Sequence, residues 1–341
     1  MAGTTSGEPA IGVLMSSGPQ VVADACAGMG GFRLVAMHGP DDLAGHVGGL
    51  DALIVSNDFY TPAVADLVAN SAPRLRWLQS SSTGYEHLDE LGAPRHLAVT
   101  QPGPVYSEIV AEHAVALLLA LARGVLPMER HRLERRWDLP AVARTMVSLK
   151  GRELLAVGFG QIGQETARRV RPFGMRVTAL VRRPPAPEAA ALADRVVLRD
   201  GLHDALRGAD AVVLGVPLTR DTRHLIGAAE FAVMKPTAYL INVARGPVVD
   251  EAALIDALAA GRIAGAGLDV VEEEPLSPTS PLWESERVII SPHLSAFGDG
   301  HGNRRFGEVI RENVRRFLAG ERLLNPVEGY PDTAPPPSGG G

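Results

Sequence analysis

The chain has 341 residues, 46% of them hydrophobic, and a formal net charge of −6, which excludes a disordered polyelectrolyte and leaves room for two domains of ordinary size. No block of like charge is long enough for a nucleic-acid arm: the cluster Arg130, Arg132, Arg135, Arg136 is interrupted by Glu134 and reads as a solvated helix face. A single cysteine, Cys26, excludes an internal disulfide framework and a Cys-rich metal site, and no metal is expected.

In chain order, Met1 to Pro9 is small and polar, without the basic start or apolar stretch of a signal peptide, so a cytoplasmic protein is expected. Short apolar runs then alternate with helical patterns: Ile11–Met15, Arg33–Met37, Ala52–Val55 and Leu75–Gln79. The run Val110–Ala122 is too short for a bilayer and reads as a buried helix; no membrane partner is expected. A second series follows at Leu154–Val157, Val177–Leu180, Ala211–Leu214, Tyr239–Asn242, Ala266–Asp269 and Val288–Ile290. This rhythm predicts an α/β protein with two doubly wound parallel-sheet domains. Breakers at Gln101-Pro102-Gly103-Pro104 and Phe297–Gly302 mark two crossings. The first domain is then discontinuous, 1–103 plus 296–330, recovering a helix over Asn303–Leu318, and the second spans 104–295. The Gly-, Pro- and Ser-rich ends, Met1 to Pro9 and 331–341, are expected to be disordered.

After the strand at Leu154, Gly158-Phe159-Gly160-Gln161-Ile162-Gly163 opens a helical run, Gln164–Val170. Strand, glycine loop and helix are the setting of a dinucleotide fingerprint. The first glycine makes the turn, the second lets backbone approach a pyrophosphate, the third lets helix pack on strand, and unpaired N–H groups at the helix start take the phosphates. NAD-specific folds carry a carboxylate about twenty residues further on to hold the ribose 2′-hydroxyl. Here the chain reads Val181-Arg182-Arg183, two cations suited to a 2′-phosphate, so NADP(H) is expected to be preferred, with NAD(H) as second choice.

Three linked motifs are more specific: Leu240-Ile241-Asn242-Val243-Ala244-Arg245-Gly246-Pro247-Val248-Val249-Asp250-Glu251, then Gly267–Pro275, then Ser291-Pro292-His293. In order and interval they resemble the D-isomer-specific 2-hydroxyacid dehydrogenase family, of the glyoxylate/hydroxypyruvate reductase kind, and the resemblance runs through nearly the whole chain. Ser82–Asp89 is similar to the family's substrate loop, and Val110-Ala111-Glu112-His113 to the start of its first cofactor-domain helix.

The resemblance implies a flavodoxin-like substrate domain, a Rossmann cofactor domain, and a small 2-oxo acid bound in the cleft between them. It implies that Arg245 clamps the substrate, that His293 gives and takes the proton, and that Glu274 pairs with His293. The chemistry needs those types: as hydride reaches the carbonyl carbon, charge grows on its oxygen, which a guanidinium can polarise and an imidazolium protonate. It further implies that Asp269 holds the nicotinamide carboxamide, that Val216, Pro217, Val243 and Ala244 line the cofactor groove, and that Ser82, Thr83 and Gly84 form the substrate loop, the backbone of Thr83 and Gly84 receiving the substrate carboxylate. Relatives place the Val110–Ala122 helix at a dimer interface, so a homodimer is expected, with Trp137 in the following arm able to reach the partner's cleft. Two other readings carry the same residues: a nucleotide-sensing corepressor, which this chain's lack of a basic surface or long tail opposes, and a phosphonate-oxidising dehydrogenase.

Overall fold

The first apolar runs become five strands: β1 (Ala10–Leu14), β2 (Arg33–Met37), β3 (Ala52–Val55), β4 (Trp77–Ser80) and β5 (Ala98–Thr100). They form one parallel sheet in the order β2-β1-β3-β4-β5, the flavodoxin-like winding. Leu14, Leu53, Leu78 and Val99 are buried in one apolar cluster with Val64 and Val68 of the helix Pro62–Asn70.

The second series gives β6 (Glu153–Val157), β7 (Arg176–Val181), β8 (Arg195–Leu198), β9 (Ala211–Leu214), β10 (Tyr239–Asn242), β11 (Gly265–Leu268) and β12 (Val288–Ile290). Their order is β12-β11-β10-β9-β6-β7-β8, all parallel. Winding reverses between β6 and β9, the Rossmann arrangement whose switch point receives ligands. Central strands covered on both faces must be apolar throughout, and β9 and β10 are buried along their whole length. One face carries the helix Ser107–Ala122, whose Leu117, Leu118 and Leu121 are buried against the helix Gln161–Val170 and the sheet.

This computed structural model describes residues 7–84, 86–298 and 300–335. The chain divides into Met1–Val105 with Gly298–Gly341, and Tyr106–Phe297. Both crossings therefore lie two residues beyond the positions read from the breakers. β5 and β8 have no counterpart in the sequence reading; β5 has three residues and β8 is an exposed edge led by Arg195, so neither shows a usable apolar period. The expected tails need correction where they are described. Pro9 O accepts the Arg33 N–H at 2.9 Å. Near the other end, Leu323 N–H bonds Asp332 O at 2.7 Å, Ala334 is buried, and Arg76 donates to Pro335 O. Residues 331–335 thus dock on their own unit, because Asp332 answers Arg322 with a 2.9 Å ion pair; 1–6 and 336–341 lie outside the described residues.

Candidate active site

In a parallel sheet every strand ends on the same edge, and the register shows which loops become neighbours. Val157 of β6 pairs with Leu180 of β7 and with Leu214 of β9. The glycine loop is therefore flanked by Arg182-Arg183 on one side and Gly215-Val216-Pro217 on the other. Farther along, Asn242 pairs with Leu268, and Leu268 with Ile290, so Arg245, Asp269 and His293 follow the ends of three adjacent strands.

The glycine loop is built for close approach. Gly158 has φ +89°, and a Cβ there would stand 2.7 Å from Val216 Cγ1; at Gly163 it would stand 2.3 Å from Gly158 O. Gly160, which caps the helix Gln161–Val170, faces open space instead. Backbone N–H groups at a helix start beside an uncrowded glycine fit a dinucleotide pyrophosphate. Phe159 turns its ring into the core, and Val243 and Ala244 are buried in the two cores of the sheet. Val216 and Pro217 are more exposed, as are Arg182 and Arg183; neither arginine has a side-chain partner among the described residues.

Three consecutive glutamates follow β11, and the structure separates them. Glu272 bonds the Glu251 N–H and, at 2.7 Å, His224. Glu273 is exposed. Glu274 bonds His293: its Oε2 lies 2.7 Å from Nδ1. That carboxylate pushes the His293 pKa above the usual histidine value; partial burial and the Arg245 charge oppose the shift, and Asp269 adds to it. With Nδ1–H spent on Glu274, Nε2 is the nitrogen left to exchange a proton. Arg245, partly buried, donates from Nη1 to Ala244 O at 2.6 Å.

Asp269 is buried and surrounded by donors: Ser291 Oγ–H at 2.7 Å, Leu294 N–H at 2.9 Å and Ser295 N–H at 3.1 Å. Ser291 and His113 stand in the sequence motifs without a role assigned there, yet His113 Nε2 lies 2.8 Å from Ser291 Oγ. They are 178 residues apart, and no local pattern joins them. Ser82, Thr83 and Gly84 belong to the other unit, where Ser82 Oγ caps Gly84 O and Ser80 Oγ caps Ser82 O; Tyr85 of that loop lies outside the described residues.

The model of the D-isomer specific 2-hydroxyacid dehydrogenase NAD-binding domain matches residues 115–295. The chain belongs to the D-isomer specific 2-hydroxyacid dehydrogenase family. It is 38% identical over 264 residues to a glyoxylate reductase of Thermococcus gammatolerans, covering 74% of this chain and 76% of that one. Among solved structures, a family member from Aeromonas salmonicida superposes with a TM-score of 0.78 at 29% identity, covering 94% of this chain and 99% of that one. A Xanthobacter autotrophicus member, crystallised with NADPH and MES, gives 0.77 at 30% identity, covering 94% and 98%. Membership makes the chain an oxidoreductase with a Rossmann cofactor domain.

Proposed function

We propose that this dehydrogenase reduces a small 2-oxo acid to the D-2-hydroxy acid with NADPH, His293 giving the proton and Arg245 holding the substrate, in a cytoplasmic homodimer. The observation that carries the reading is the 2.7 Å His293–Glu274 pair on the same sheet edge as the glycine loop.

Arg245 meets the substrate carboxylate with two parallel N–H bonds and leaves its charge beside the carbonyl oxygen. A dihydronicotinamide bound at the glycine loop would supply the hydride for the carbonyl carbon. As charge grows on the oxygen, His293 delivers the Nε2 proton to it, and the imidazole left behind is neutral. Glu274 stabilises the imidazolium before that transfer, and in oxidation the neutral Nε2 takes the hydroxyl proton back. Backbone N–H groups of residues 160–163 would hold the pyrophosphate.

Preference for NADPH is supported by Arg182 and Arg183, exposed at the end of β7 where an NAD-specific fold offers a carboxylate. Steady-state assays with glyoxylate, hydroxypyruvate and phenylpyruvate test the reading. The native kcat/KM ratio should favour NADPH over NADH by at least about tenfold, about 1.4 kcal/mol of differential binding, and Arg182→Ala should shrink it through a higher KM for NADPH. Equal use of both coenzymes, or a ratio indifferent to both arginines, defeats the assignment of the cofactor; no turnover of any 2-oxo acid defeats the function.

A further inference from the structure

The turn that presents His293 is wrapped around one buried carboxylate. Asp269 receives Leu294 N–H on Oδ1 at 2.9 Å and Ser295 N–H on both oxygens, at 3.2 and 3.1 Å, while its backbone carbonyl receives His293 N–H at 2.8 Å. His293 itself sits at φ +52°, a left-handed conformation uncommon for a non-glycine residue. The side-chain donor to Oδ1 is Ser291 Oγ–H at 2.7 Å. Behind the serine stands His113, on the helix Ser107–Ala122, its Nε2 2.8 Å from Ser291 Oγ and 3.6 Å from Asp269 Oδ1.

Proton counting fixes the direction of this chain. A hydroxyl has one proton, and Ser291 gives it to a carboxylate that both oxygens show to be an acceptor. The contact with His113 is then an Nε2–H donated to Ser291 Oγ, which assigns the proton to Nε2 from the network. Neutral and charged imidazole both satisfy it. The order also separates this trio from a nucleophilic triad, in which histidine stands between serine and aspartate and takes the serine proton. Here serine stands in the middle and is not activated.

We propose that His113 and Ser291 are positioning residues for His293: the His113 N–H orders the Ser291 hydroxyl, which locks Asp269 and the 291–295 turn in the arrangement that sets the His293 ring against Glu274. The inference rests on His293 as the proton donor. One hydrogen-bonded path, His113 to Ser291 to Asp269, thus ties the catalytic turn to a helix on the face of the sheet.

Three variants separate positioning from packing. His113→Leu keeps the bulk and removes the donor, His113→Gln reaches as far as Nε2 and ends in N–H groups, and Ser291→Ala removes the middle link. With NADPH and the best 2-oxo acid, His113→Leu and Ser291→Ala should lower kcat about tenfold while KM for the oxo acid stays within about twofold, since a displaced proton donor slows chemistry more than binding. His113→Gln should keep at least about half of native kcat. Nitrogen NMR of the histidine rings in the unliganded full chain gives a readout free of turnover: His113 should be protonated at Nε2, and the His293 ring signals should move in His113→Leu and return in His113→Gln. Native kcat in His113→Leu, or equal impairment of Leu and Gln, overturns the proposal. Should the native protein turn over no 2-oxo acid, the functional reading fails by itself, and the ring signals still decide: unmoved His293 signals in His113→Leu reject the positioning path and moved ones sustain it.

Discussion

Removing the Glu274 carboxylate changes the proton affinity of His293 before it changes any packing. The carboxylate bonded to Nδ1 is the largest cause that raises the His293 pKa. Reduction needs the protonated ring, so its rate falls as pH rises through that pKa. Glu274→Gln removes the cause of the rise, and the alkaline limb of the kcat/KM profile for reduction should move to lower pH; oxidation, which needs the neutral ring, should gain at its acid limb. A profile matching the native one removes the pairing. The sequence resemblance alone indicated Arg245, Glu274 and His293, and the structure brings Glu274 and His293 into contact. What it could not indicate is that Glu272, two residues earlier in the same run, takes His224 as its partner, because that choice depends on a loop distant in sequence.

At the level of elements, the glycine loop separates folding from binding. A methyl at Gly163 collides with Gly158 O, whereas a methyl at Gly160 meets nothing. Gly163→Ala should lower the thermal midpoint by several degrees, since about 1–3 kcal/mol of overpacking moves Tm by a few degrees in a domain of this size. Gly160→Ala should melt like the native protein yet weaken NADPH binding about tenfold or more in a fluorescence titration, as the methyl would stand where the pyrophosphate is proposed to lie. Native affinity in Gly160→Ala would relocate the phosphates. The loop and its two flanking elements were legible in the sequence, because a strand before and a helix after frame the glycine spacing. The edge strand β8 was not: Arg195 and a half-exposed run give no apolar alternation, and only pairing with β7 makes it a strand.

For the molecule as a whole, the helix Ser107–Ala122 is apolar on more than the face that packs on the sheet: Ala116 is exposed, and Leu119 and Ala120 are half-buried. The arm beyond it, with the helices Val125–Leu133 and Leu139–Ala143, leaves Trp137 98% exposed and Leu133 and Leu139 each 68% exposed. Apolar surface of that kind is costly in a monomer and fits a two-fold contact with a second copy. Light scattering should give twice the 36.0 kDa chain mass at micromolar concentration; a mass of 36.0 kDa throughout contradicts the dimer.

His293 as proton donor is tested directly by turnover of a 2-oxo acid with NADPH deuterated at the transferring position, comparing the native protein with His293→Ala and measuring coenzyme affinity in both. The native enzyme should yield the D-2-hydroxy acid with deuterium on carbon 2, and His293→Ala should lose about 10²–10⁴-fold in kcat while binding NADPH within about twofold of native. An unlabelled or L-configured product, or a His293→Ala variant that turns over at the native rate, would contradict it.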